Sequence, residues 1–352
     1  MHRGKWTHIA VRILSLVLLF SGMNLLYKHV FFERDLQHYS SLINLVRDVP
    51  PDAAIIYLGE SSNNTARGDD QDKRKISDFI ADYYPGLAMY DLTKPAAHAG
   101  VFKVLLQQIS VESEVETVIV TLTLRSFNAQ WIHSSLETSL QKSLVLLKPY
   151  PPLFNRFLLS FKAYEIKTKE EREQDFKKQW ADDKLQFPYE FLHEDVSQWN
   201  RWMAYKGIKD EQGEIDRAQT ELACHYIKAY GFQIDTLENP RIADFDAIVK
   251  LARKRGWKLV FNLMAENMEK ADSLVGEDVV FLMNQNRELL KEYYGSKGVM
   301  VVDNLSAVED QLFIDQTWTT EHYAERGRKT IAKGVAAAMK IWYGDEYRDA
   351  GY

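Results

Sequence analysis

One cysteine in 352 residues excludes an internal disulfide and any multi-cysteine metal site. Cys224 reads instead as a small buried residue. The chain also lacks a Gly-rich phosphate loop, the spaced ligand sets that hold a metal, and any internal repeat, so nothing in it predicts a cofactor or a metal ion. A basic surplus is missing too: 44 Lys and Arg stand against 50 Asp and Glu, a net charge of -6, which offers no face for nucleic acid. What remains is ordinary globular composition, 46% hydrophobic and 27% charged, with length enough for one elaborated domain.

The longest apolar run opens the chain. Ile13 to Tyr27, extended by Ile9 to Val11 and Val30 to Phe32, reaches the about 20 residues that cross a bilayer. Arg3, Lys5 and Arg12 precede its centre, so the positive-inside rule predicts a cytoplasmic tail with the rest of the chain outside. No small-x-small cleavage site follows, which favours an uncleaved anchor, and no nearby cysteine allows lipoprotein processing. The expected division is a tail and transmembrane anchor over residues 1–34 and an α/β domain over 35–352. The expected location is the cell membrane, single-pass, with the domain extracytoplasmic.

Within the domain, short apolar runs alternate with helical patterns: Ala53 to Leu58, Leu87 to Asp91, Val118 to Leu124, Lys258 to Leu263 and Val299 to Asp303 read as strands of a parallel sheet. Ligand chemistry collects at the carboxyl ends of such strands. There stand Glu60, Ser61 and Ser62 after the first, Thr93 and Ala96 after the second, Arg125 and Asn128 after the third, and Glu266 and Asn267 after the fourth. Glu266 and Asn267 read either as substrate contacts or as caps of the next helix. His98 reads as a helix-start residue. Residues of about 134–238 break the alternation and predict a helical insertion over the sheet's carboxyl edge, with Trp180, Trp199 and Trp202 either in its core or as a sugar-stacking wall. The segment from Asn267 to Tyr294 reads as one long helix.

A serine hydroxyl needs a base within hydrogen-bond reach, oriented by an acid. His322, just ahead of the last helix, is the candidate base. Asp315 can face it if the loop doubles over; Glu321, its neighbour in sequence, would have to turn back on it. Asp315 is preferred and both stay open.

A strand followed by Gly59-Glu60-Ser61, with Asp and His before a last helix, resembles the SGNH/GDSL hydrolases, whose first block is Gly-Asp-Ser. The resemblance implies a three-layer α/β sandwich with a central parallel, flavodoxin-like sheet, and makes Ser61 the nucleophile and His322 the base. It places Thr93 or Ala96 where the family's second block supplies an oxyanion N–H. The third block, Gly-x-Asn-Asp, is absent, and Arg125 or Asn128 stands where its Asn donates. Asp-x-x-His is altered as well, Thr319 replacing the Asp. Anchored members of this kind resemble esterases or O-acyltransferases acting on acylated extracytoplasmic glycans or envelope polymers, often beside a multi-span membrane acyltransferase. Two other readings are an inactive SGNH-like module that binds or assists such an acyltransferase, and an unrelated doubly wound domain in which Ser61 and His322 never meet.

Overall fold

The computed structural model describes residues 3–39, 41–145 and 152–352. They divide into two compact units, Met1–Asp48 with Thr138–Thr168, and Val49–Glu137 with Lys169–Tyr352. The predicted insertion is thus shared out: 138–168 groups with the N-terminal helix, 169–238 with the α/β unit, and 146–151 lies outside the described residues.

In the first unit the helix Arg3–Val30 carries the stretch Trp6–Val30, long and apolar enough to cross a membrane. The helix Pro152–Ser160 lies beside it, where Asn24 Oδ1 accepts from Leu153 N at 3.0 Å and Phe20 meets Phe157 at 5.8 Å. Two short helices follow it, Phe32–Tyr39 and Ser41–Arg47.

The strands of the second unit are Ile55–Gly59 (β1), Met89–Thr93 (β2), Thr117–Leu122 (β3), Ile208–Lys209 (β4), Ile215–Asp216 (β5), Lys258–Leu263 (β6) and Met300–Asp303 (β7). Five of them form a parallel sheet in the order β2-β1-β3-β6-β7. Every residue of β1 and β3 is buried, as expected of apolar strands covered on both faces. Ile55, Tyr57, Ile119 and Val260 face the helices Ile76–Asp82 and Glu325–Tyr343. On the opposite face Phe261 meets Phe245, at 4.9 Å, from the helix Pro240–Arg255, which packs with the helix Ala99–Gln108. These are three layers, α/β/α. Local signals set the helix bounds: Asn239 Oδ1 accepts from Arg241 N, Pro240 opens the helix, and Gly256 closes it in the left-handed region at φ 73.

Two elements differ from the sequence reading. The segment after Asn267 is two helices, Met268–Val275 and Glu277–Ser296, because Gly276 takes φ 106 and a new acidic first turn, Glu277 and Asp278, follows it. The expected all-helical insertion also contains the antiparallel pair β4 and β5, closed by a turn in which Asp210 Oδ1 accepts from Gln212 N and Glu214 N. Its helix Arg217–Tyr230 does reach the carboxyl edge of the sheet. The tryptophans make no wall: Trp180 stacks on Phe176, Trp199 is buried against Phe191, and Trp202 lies against His193 and Lys206.

Candidate active site

β1 ends at Gly59, where a Cβ would stand 2.8 Å from the Tyr57 ring and 3.0 Å from Asn63 Cβ, so the chain turns there only without a side chain. Glu60 is extended and Ser61 begins a single helical turn, Ser61–Asn64. Asn63 braces that turn: its amide donates to Thr93 Oγ1 at 2.7 Å and Ser77 Oγ at 3.1 Å, and its Oδ1 accepts from Ser77 N at 2.9 Å. The Ser61 hydroxyl is therefore held, partly exposed, at the carboxyl end of an inner strand.

His322 reaches it from a loop whose neck is the Phe313–Tyr323 bridge. His322 Nε2 lies 3.0 Å from Ser61 Oγ, and Nδ1 lies 2.8 Å from Asp315 Oδ2. The loop doubles over as Asp315 requires, and the Thr320 hydroxyl also donates to Asp315 Oδ2. Glu321, the other acid left open, points away from the imidazole and pairs with Arg125. With Nδ1–H given to the carboxylate, Nε2 is free to take the serine proton, an arrangement chemically able to activate Ser61.

Most of the remaining strand-end residues are engaged elsewhere, and the expectations for Asn128, Arg125 and Glu266 are corrected. Asn128 caps the helix Ala129–Ile132 by accepting from Trp131 N, and both its amide hydrogens go to carbonyls, Ala229 O at 2.8 Å and Lys228 O at 3.3 Å, leaving none for an oxyanion. Arg125 is buried and donates to Thr319 O at 2.5 Å and to Glu321. Glu266 is only 1% exposed, accepting from the Tyr230 hydroxyl at 2.5 Å, so it contacts no substrate. Asn267 takes its alternative as a cap, accepting from Lys270 N and donating to Asp310 Oδ1 at 2.7 Å. The Thr93 hydroxyl is occupied by Asn63. Ala96 stays in play: it is a non-glycine residue at φ 59, and its backbone N–H, like that of Ser61, donates to no acceptor among the described residues. His98 caps its helix, with Nδ1 accepting from Gly100 N and Nε2 2.6 Å from Glu137, and burial lowers its pKa.

Behind Ser61 lies a buried acidic cluster that sequence patterns did not reveal. Glu60, Glu266 and Glu321 surround one cation, Arg125. Burial, then the Glu321 charge, raises the Glu60 pKa to about 8 against the relief from Arg125, and the same two causes hold Glu266 well above the usual carboxylate range. A carboxyl that keeps its proton in the folded state while the unfolded chain loses it makes stability fall as pH rises from roughly 4.5 to about 8. Glu60→Gln should remove that slope. Its melting temperature should gain on the wild type as pH rises from 5 to 8, and any constant packing cost would shift the whole curve without changing this; parallel curves would refute the assignment.

A second buried pair secures the segment after the nucleophile turn. Arg328, on the last helix, meets Asp70 at 2.9 Å and also donates to the carbonyls of Thr65, Asp72, Arg74 and Tyr323. The charged stretch Arg67 to Lys75 gave no sign of this, because an ion pair between residues 258 apart has no local pattern. A cleft of about 840 Å³ next to this segment is lined by Arg67, Asp70, Leu312, Arg326, Lys329 and Tyr352 among others; none of Ser61, Asp315 and His322 lines it.

No protein-family model matches the chain, and no curated protein matches it. Among solved structures it is similar to a GDSL-like lipase from Bacteroides thetaiotaomicron, at 6% identity over 88% of this chain and 98% of that one with a TM-score of 0.36. It is also similar to a lipase/acylhydrolase from Enterococcus faecalis, at 8% identity over 82% and 95% with a TM-score of 0.33. By its own topology, a parallel sheet ordered β2-β1-β3-β6-β7 with Ser61 just after β1 and the Asp315–His322 loop leading into the last helix, the chain is the three-layer α/β sandwich that the resemblance implied.

Proposed function

We propose that the protein is a membrane-anchored serine esterase or O-acyltransferase that handles acyl esters of extracytoplasmic glycans or envelope polymers. The observation that carries this reading is the continuous hydrogen-bond chain Asp315–His322–Ser61. Ser61 Oγ attacks the ester carbonyl carbon as its proton passes to His322 Nε2. Asp315 holds the ring with Nδ1–H toward itself and stabilises the imidazolium. The tetrahedral oxyanion is met by the backbone N–H groups of Ser61 and Ala96, donors that need no Gly-x-Asn-Asp. His322 then protonates the leaving alkoxide, and the acyl group on Ser61 goes to water in an esterase or to a glycan hydroxyl in a transferase. The engaged geometry favours an active site over the inactive-module reading.

The apolar helix and the positive charges ahead of it support an anchor with the α/β unit outside. A partner among multi-span membrane acyltransferases belongs to the same reading. Protease added outside the cytoplasmic membrane should digest the chain beyond Val30 and spare only a short tail; a fully protected chain contradicts the placement. For the chemistry, the 352-residue chain in detergent should release p-nitrophenol from p-nitrophenyl acetate. If it forms neither product nor an acyl adduct on Ser61 with short labelled acyl donors, the enzyme reading falls.

A further inference from the structure

The loop that delivers His322 is held by backbone bonds at its neck and by side chains at its tip. Its neck is tied by Ile314 N to His322 O, Ala324 N to Leu312 O, and the Tyr323 hydroxyl to Ala265 O. From Asp315 to Glu321 no backbone group bonds to another backbone group among the described residues. Side chains hold that tip instead: Gln316 Nε2 donates back to the carbonyls of Asp310 and Phe313, the Trp318 ring packs on His225 at 3.8 Å, and Arg125 hydrogen-bonds it from outside. Arg125, in the turn after β3, donates from Nη1 to Thr319 O and from Nη2 to Glu321 Oε2, fastening two of the three residues before His322 to the end of the neighbouring strand. Trp131 covers the guanidinium at 4.7 Å, and the Arg125 side chain is only 7% exposed.

The second partner is anchored in turn. Glu321 is 1% exposed and neighbours Glu266, equally buried, whose Oε2 accepts from the Tyr230 hydroxyl and whose pKa is raised by burial and then by the Glu321 charge. Tyr230 O–H donates to Glu266, which stands beside Glu321, and Arg125 N–H groups donate to Glu321 and to Thr319 O. These contacts link the insertion, the end of β6, the His322 loop and the end of β3.

We propose that Arg125, backed by the Glu321–Glu266 carboxyl pair, is a positioning residue that sets His322 over Ser61 in place of the absent third-block motif. This rests on Ser61 being the nucleophile. The fork is what matters: a lysine keeps the charge yet, as a point donor, cannot hold Thr319 O and Glu321 together in the same geometry. A misplacement of about 1 Å in the base costs on the order of 100-fold in rate. Loss of positioning lowers the rate of the bond-making step and leaves binding of the reagent unchanged.

The test is phosphonylation of the 352-residue chain in detergent by an alkyl fluorophosphonate over a range of concentrations. Ser61 Oγ bonds to phosphorus, fluoride leaves, and the serine proton goes to His322. Arg125→Met should lower the maximal labelling rate about 100-fold, and Arg125→Lys should recover part of it, to about tenfold below wild type, both at an unchanged half-saturating concentration. If Arg125→Met does not give a cooperative melt, Arg125→Lys decides alone. A folded Arg125→Lys chain labelling within twofold of wild type overturns the clamp, as does a loss confined to the half-saturating concentration. A wild-type chain that takes no adduct on Ser61 overturns the functional reading itself, and the clamp with it.

Discussion

Ser61→Ala is expected to lower hydrolysis of p-nitrophenyl acetate by about 10⁵–10⁶-fold, His322→Ala by a similar factor, and the double variant by no more than either. The reason is geometric. With Oγ 3.0 Å from Nε2, the serine is a nucleophile only while the imidazole takes its proton, and the imidazole has no other role in this step. Removing either removes the unit, so free energies that would add for independent sites cannot add here. Activity left in all three reflects the backbone N–H groups and binding alone. Ser62→Ala is the control: that side chain is buried, its hydroxyl has no hydrogen-bond partner among the described residues, and the nucleophile turn is braced by Asn63 instead. Steady-state rates of the four variants decide it, and losses that multiply would show two groups working separately.

The second large effect belongs to Asp315. Asp315→Asn preserves shape but presents an amide N–H to Nδ1, which favours the tautomer with its proton on Nε2, directed at Ser61 and unable to accept another. Turnover should fall by about 10³–10⁴-fold, less than for Ser61 or His322, because the nucleophile and base remain in place. Glu321→Gln should cost far less: it keeps an acceptor for Arg125 and never touches the ring. Equal losses at the two positions would mean that the acid's role had been misread. Measuring kcat for both variants under identical conditions makes the comparison.

How much of this the sequence carries depends on the reach of the interaction. β1, β3 and β6 are apolar runs closed by polar tips, and a strand buried on both faces writes itself in consecutive residues, so those residues alone put Ser61 at a carboxyl strand end. The approach of His322 followed from its position ahead of the last helix. The choice between Asp315 and Glu321 stayed open because it depends on whether a seven-residue span doubles over, and that is settled by Arg125, 190 residues upstream of Asp315 in the chain, gripping Thr319 O. The buried acids were illegible for a related reason. Glu60, Glu266 and Glu321 are each a glutamate at a strand tip or in a loop, where exposure is the ordinary expectation; only the assembled sheet edge buries them around one guanidinium. Gly276, by contrast, was in plain view as a helix stop followed by two acids, and the apolar residues on both sides of it had suggested a single helix.

Peptide-level mass measurement after fluorophosphonate treatment at neutral pH tests most directly whether Ser61 carries a covalent group. The predicted result is one phosphonyl adduct per chain on Ser61, absent from Ser61→Ala and formed far more slowly in His322→Ala. An unmodified chain, or an adduct on Ser62 with Ser61 untouched, would contradict it.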